Sequence, residues 1–170
     1  DMRQFHEGRL TFTFPDPLEA AQYDSWAFYR NQFNSAFGGT KAIDFICIDN
    51  DKTWLIEVKD YRANRRTKAI DLADEVALKV RDTLAGLAAA KSNANNQSER
   101  ACARKALKKN RLRVVLHLEQ PRKPSKLFPQ AVDPSKLVMK LKQVLKAVDP
   151  HPVIVDQTCL KPDMHWQVTG

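Results

Sequence analysis

Apolar positions along the chain follow two different periods, and the places where one gives way to the other mark out the elements. Leu10, Phe12 and Phe14 alternate with polar residues, so residues 5–14 predict a strand or hairpin arm, which Pro15 closes. Asp16-Pro17-Leu18-Glu19 then reads as a helix start, with Asp at the N-cap, Pro at N1 and Glu at N3. Leu18, Trp26, Tyr29, Phe33 and Phe37 extend that helix as one apolar stripe to Gly38-Gly39. Two apolar runs, 42–48 and 54–60, follow around the polar turn at 49–52. Ile43 to Ile48 is hydrophobic on both faces, which predicts a strand covered on both sides.

A long helix is predicted over 67–90, with Val76, Val80, Leu84 and Leu87 facing inward, then a polar loop at 91–98 and a basic helix over 99–109. Residues 112–118 predict a strand, 119–132 an irregular connection with three prolines, and Asp133-Pro134 the cap of a helix to about Val148. Val153–Val155 and 166–169 are candidate terminal strands. The order predicts an α/β fold around a mixed sheet. A single domain over 1–170 is expected, with a core at about 16–118 and the helix and strands of 133–170 packed on it.

Composition adds a partner class. The 28 Lys and Arg against 20 Asp and Glu give a net charge of +8, which favours nucleic acid or another polyanion. With 43% hydrophobic and 28% charged residues the chain is expected to be globular. The sequence has neither a membrane-spanning apolar run nor a signal-peptide pattern, and the three separated cysteines Cys47, Cys102 and Cys159 suit reduced thiols, so a cytoplasmic protein is expected. His6, His117, His151 and His165 lack metal-ligand spacing, and no nucleotide-binding fingerprint occurs.

The candidate chemistry sits in the central hairpin. Asp44 interrupts one hydrophobic strand, and Glu57 and Lys59 interrupt the next. Buried charges are costly unless paired or bound to a cation. A turn centred on Asn50-Asp51 pairs positions summing to 101, which sets Asp44 opposite Glu57, while Glu57 and Lys59 leave one face of their strand. Two carboxylates and an ammonium at one spot suit Mg²⁺, which takes oxygen ligands, polarises a phosphodiester and acidifies a bound water. A structural salt bridge through Lys59 is the plainer alternative, and it leaves one carboxylate unbalanced.

Asp44 followed by Glu57-Val58-Lys59 resembles the active-site signature of the PD-(D/E)XK nuclease superfamily. The resemblance implies a restriction-endonuclease-like fold: a mixed central sheet flanked by helices. It implies an Mg²⁺-dependent deoxyribonuclease acting as an endonuclease, with Mn²⁺ as a substitute. Asp44, Glu57 and the Val58 carbonyl would hold the metal, and Lys59 would be the catalytic lysine. Ile43 stands where many members carry proline, and the stretch between Phe37 and Asp44 is short for a preceding strand. Many members add an acid from the first helix, for which Glu19 is the candidate and Glu7 the weaker alternative; Glu19 also fits a capping box with Asp16. Arg62, Arg65, Arg66 and Lys68 would hold the DNA backbone beside the scissile bond. Further basic clusters occur at Arg104, Lys105, Lys108, Lys109, Arg111 and Arg113, and at Arg122, Lys123 and Lys126. Double-strand cutting would call for a homodimer, and restriction, repair or a toxin or defence role share the same chemistry. The alternative is a catalytically inactive nucleic-acid-binding or assembly module of the same fold.

Overall fold

The computed structural model describes residues 1–127 and 131–170; residues 128–130, part of the expected proline-rich connection, lie outside the described residues. The chain forms strands β1 (Met2–Glu7), β2 (Leu10–Pro15), β3 (Glu19–Gln22), β4 (Phe45–Asp49) and β5 (Lys52–Asp60), then helices α1 (Leu72–Asn93) and α2 (Gln97–Lys108). Strand β6 (Arg111–Glu119), helix α3 (Pro134–Leu145) and strands β7 (Val153–Val155) and β8 (Gln167–Thr169) complete it. It is a mixed α/β protein with two sheets, ordered β1-β2-β8 and β3-β4-β5-β6-β7.

The large sheet lies between two apolar layers, and the strand period assigns side chains to each. Ile46, Ile48 and Leu55 face Val76, Val80 and Leu87 of α1, with Leu137, Leu141 and Leu145 of α3 in the same cluster. Phe45, Cys47, Trp54 and Ile56 face the small sheet, through Leu10, Phe12, Phe14, Trp166 and Val168. Both faces of β4 are therefore covered, and all five of its residues are buried. The 3.6-residue period of α1 delivers the apolar stripe that seals one side.

Local signals fix the ends of the helices. The Asp71 carboxylate accepts the Ala73 and Asp74 N–H groups, Asn96 accepts those of Ser98 and Glu99, and Asp133 accepts that of Ser135 with Pro134 in the first turn. The break between α1 and α2 is shorter than the polar composition of 91–98 predicts, because α1 runs on to Asn93.

The helix expected from Asp16 to Phe37 does not form. Residues 19–22 instead pair antiparallel with β4, Glu19 opposite Ile48 and Gln22 opposite Phe45. Glu-Ala-Ala-Gln has helical propensity, yet this pairing satisfies backbone groups along β4 that burial would otherwise strand. Beyond it the chain folds into short turns at Tyr23–Ser25 and Tyr29–Phe33. The aromatic spacing read as a helical stripe packs as a cluster, with Tyr23 5.1 Å from Trp26 and 5.5 Å from Tyr29 between ring centroids. The strand preceding β4 in the large sheet is thus β3, rather than a segment between Phe37 and Asp44.

Candidate functional site

The β4–β5 register carries the site. Phe45 pairs with Ile56 and Ile48 with Thr53, so Asp44 stands one step beyond the ladder, opposite Glu57. Glu57 and Lys59 leave β5 on the face of Leu55, which α1 covers. Asp44 Oδ2 accepts the Val58 N–H at 2.7 Å. Because a strand residue sends its N–H and C=O toward the same neighbour, the Val58 carbonyl faces the Asp44 side as well.

Helix α1 adds groups that complete the network. Lys79 Nζ lies 2.5 Å from Glu57 Oε2, and Lys59 Nζ lies 3.5 Å from the same oxygen. Lys59 also pairs with Glu75 at 2.6 Å, and Lys68 and Arg66 reach Glu75 at 2.8 and 3.4 Å. Burial opposes ionisation of Glu75, but hydrogen bonds from Lys59 and Lys68 outweigh it and hold its carboxyl at about 2. The Lys79 ammonium is likewise held above its ordinary value, burial being overcome by Glu57.

On the other side of Asp44 the balance reverses. Glu7, at the end of β1, and Asp24, in the turn after β3, each bring a carboxylate oxygen within 4.8 Å of Asp44 and of each other. The Tyr23 N–H donates to the Asp44 carbonyl at 3.0 Å, which fixes the turn that carries Asp24. Burial and neighbouring Glu57 push the Asp44 carboxyl up to about 10. Glu7 is raised by burial and by Asp24, and Asp24 by burial and by Glu57. Glu57 Oε1 is buried with no donor of its own.

This donor set fits a divalent cation. Oxygens on one Mg²⁺ at ~2.1 Å lie ~3.0 Å apart when cis and ~4.2 Å when trans, so Glu7, Asp24 and Asp44, whose oxygens lie within 4.8 Å of one another, would draw together to seat it. The orphaned Glu57 oxygen is the second observation pointing the same way.

The structure gathers Asp44, Glu57, Val58 and Lys59 at one place but leaves Glu19 outside it. Glu19 is half exposed on the edge strand and pairs with Lys105 of α2 at 2.5 Å. Glu7, from the first hairpin, takes the place expected of Glu19, and Asp24 joins it. The segment 62–68 forms an irregular loop, since α1 begins only at Leu72. Its cations turn to partners within the chain: Arg62 to Asp60 and the Gly170 carbonyl, Arg65 to the Lys126 carbonyl, Arg66 to Tyr61, Ile70 and Glu75, and Lys68 to Glu75. Glu75 and Lys79 were missed by sequence reasoning, although they are four apart beside the stripe of Val76 and Val80, a spacing that places a charged pair on one helix face. Asp24 gave no such signal inside a segment that read as helix.

No family model matches the chain, and no solved structure matches it significantly. A cysteine--tRNA ligase of Neisseria meningitidis serogroup A / serotype 4A is similar to it, 34% identical over 167 residues. That alignment takes in 81% of this chain and 24% of the relative, so the chain spans about a quarter of that protein's length.

This likeness overturns the expected membership of the PD-(D/E)XK nuclease superfamily, the reading as a deoxyribonuclease or other hydrolase, and DNA as the partner. The inactive module of that fold and the homodimer or defence and repair complex tied to it receive no support from it. The physical reason for the error is that Asp44, Glu57 and Lys59 report a charged, cation-ready cleft, while neither the reaction nor the polymer brought to it is encoded in three residues. Among the described residues no helix is long and apolar enough to cross a membrane.

Proposed function

We propose that this chain is a tRNA-directed module of the aminoacyl-tRNA synthetase system, acting beside an aminoacylating part rather than carrying that reaction itself. The observation that carries this reading is the likeness of most of the chain to about a quarter of a cysteine--tRNA ligase. The charge of +8 supports it, because a cationic surface gains affinity for RNA by releasing counterions.

In this reading the cleft at Asp44 binds Mg²⁺, with Mn²⁺ as a substitute. Asp44, Glu7 and Asp24 would hold the ion, and Glu57 and the Val58 carbonyl stand beside them. A bound cation would supply a point of attachment for a phosphate oxygen. Lys59, held between Glu57 and Glu75, would balance the carboxylates beside the ion rather than contact the phosphate itself. For the architecture alone, we take the large sheet as restriction-endonuclease-like: an antiparallel β3–β4–β5 meander, a helical crossover, and β6 parallel to β5 support this.

The test is fluorescence anisotropy of the protein with a tRNA transcript and with a DNA duplex of equal charge, at several salt concentrations, with Mg²⁺ and with EDTA. Tighter binding of tRNA, strengthened by Mg²⁺ in the wild type and not in Asp44→Asn, is expected. Equal or weaker binding of tRNA relative to the duplex overturns the proposal.

A further inference from the structure

Ion pairing sorts the many cations of this chain into two groups. Of the basic cluster running from α2 into β6, Lys105 is paired with Glu19, Arg111 with Asp51, and Arg113 with Asp149 and Asp163. Lys109 donates to the Asn50 carbonyl at 2.7 Å. The cations of the 62–68 loop are occupied in the same way. Among the described residues, Lys91, Arg100, Arg104 and Lys108 have neither an ion pair nor a side-chain hydrogen bond, as is also true of Arg9, Lys41, Lys136, Lys142, Lys146 and Lys161; what sets the four apart is their placement.

These four belong to one surface. Arg100, Arg104 and Lys108 follow at four-residue steps along α2, spanning ~12 Å of one helix face at 1.5 Å per residue. Lys91, in the last turn of α1, meets them where the chain passes from α1 to α2: Lys91, Ser92, Gln97, Arg100 and Arg104 line a recess of about 450 Å³. Exposed Ala101 adds no bulk to it. Three cations around one polar recess repel one another, and an anion relieves that repulsion.

The face is also anchored. Glu99, next to Arg100, is buried, and its carboxylate accepts the N–H groups of Ala27 and Phe28 at 2.9 and 3.0 Å. Those residues continue the turn that carries Asp24. The helix presenting the cations is thus fastened to the segment that supplies the cleft with a carboxylate.

We infer that the face formed by Lys91, Arg100, Arg104 and Lys108 is the track for the phosphate backbone of RNA, and that the 62–68 loop is structural. The occupant is argued from charge complementarity, because an unpaired row of guanidinium and ammonium groups suits successive phosphates. The inference rests on the tRNA-directed reading above and names its contact surface.

The experiment measures tRNA affinity against salt for the wild type, for Arg100→Gln/Arg104→Gln/Lys108→Gln, and for Lys105→Gln/Arg111→Gln as the control whose charges are already paired. Circular dichroism melts check that each variant folds. The triple variant should lose affinity roughly tenfold or more, with the slope of log K against log salt shallower by about 3, roughly one per lost phosphate contact. The control should keep the slope of the wild type, and Arg100→Lys/Arg104→Lys should retain it as well. A triple variant that binds tRNA like the wild type overturns the face and leaves the tRNA-directed reading standing. Wild-type protein that fails to bind tRNA overturns both. Equal binding of a DNA duplex through the same residues overturns RNA as the occupant.

Discussion

Lys79 on α1 reaches across the helix–sheet interface to Glu57 on β5, its Nζ 2.5 Å from Oε2. Both side chains are largely buried, so removing the ammonium leaves a carboxylate with weaker compensation from Lys59 at 3.5 Å. Breaking one half of such a pair is strongly destabilising. Lys79→Met is expected to lower unfolding free energy in urea by about 3 kcal/mol. Glu57→Gln added to it should recover part of that loss. Additive effects of the two substitutions would show that they are not coupled.

A second prediction concerns pH. In the cation-free protein the Asp44 carboxyl, raised to about 10 by burial and by Glu57, keeps its proton at neutrality. The unfolded chain releases that proton above ~4. Its contribution to stability is therefore complete below that pH and is lost as the pH rises toward about 10. Asp44→Asn keeps an acceptor for the Val58 N–H and removes the titration. Thermal melts in EDTA between pH 5 and 9 should fall less steeply with pH for this variant than for the wild type. Equal slopes would rule out Asp44 as the source.

Glu75 should act in the opposite sense. Its carboxyl is held at about 2, with hydrogen bonds from Lys59 and Lys68 exceeding the cost of burial. The stability it contributes is present above ~4.3 and is lost as the pH falls toward about 2. Glu75→Gln is expected to cost about 2 kcal/mol at pH 7. The gap to the wild type should narrow below pH ~4 in acid denaturation. A gap independent of pH would point to packing alone.

Gly86 offers a test of the core. It lies in the interior of α1, where alanine ordinarily favours the helix by ~1 kcal/mol. Here an added β-carbon would run into the hydroxyl of fully buried Tyr23 and press on Phe33. Gly86→Ala is expected to destabilise the protein by about 1–3 kcal/mol, the usual cost of overpacking. Gly86→Ala combined with Tyr23→Phe should be less affected, and melting temperatures would show it.

Much of the architecture was legible because local signals and tertiary structure agree. The β4–β5 register follows from the turn at Asn50-Asp51, and α3 begins where Asp133-Pro134 places it. The segment 16–37 was misread because its capping residues and aromatic spacing describe a helix equally well, and only the pairing of Glu19–Gln22 with β4 decides otherwise. Glu7 and Asp24 come to Asp44 from a separate hairpin and turn, so no spacing along the chain foretells their meeting. Pairing has a similar effect on the cations: Arg62 and Lys68 look free in sequence, and contact with Asp60 and Glu75 occupies them.

The large sheet stops on both sides in very short strands, β3 with four residues and β7 with three. On the β3 side, Arg3 Nη1 donates to the Ala20 carbonyl at 3.0 Å, so an acceptor on that border is already occupied. A neighbouring molecule seeking to extend the ladder would find few open backbone groups and a guanidinium in its path. The doubly buried centre of the sheet, rich in isoleucine and valine, is thereby shielded from the stacking between chains that leads to fibrils.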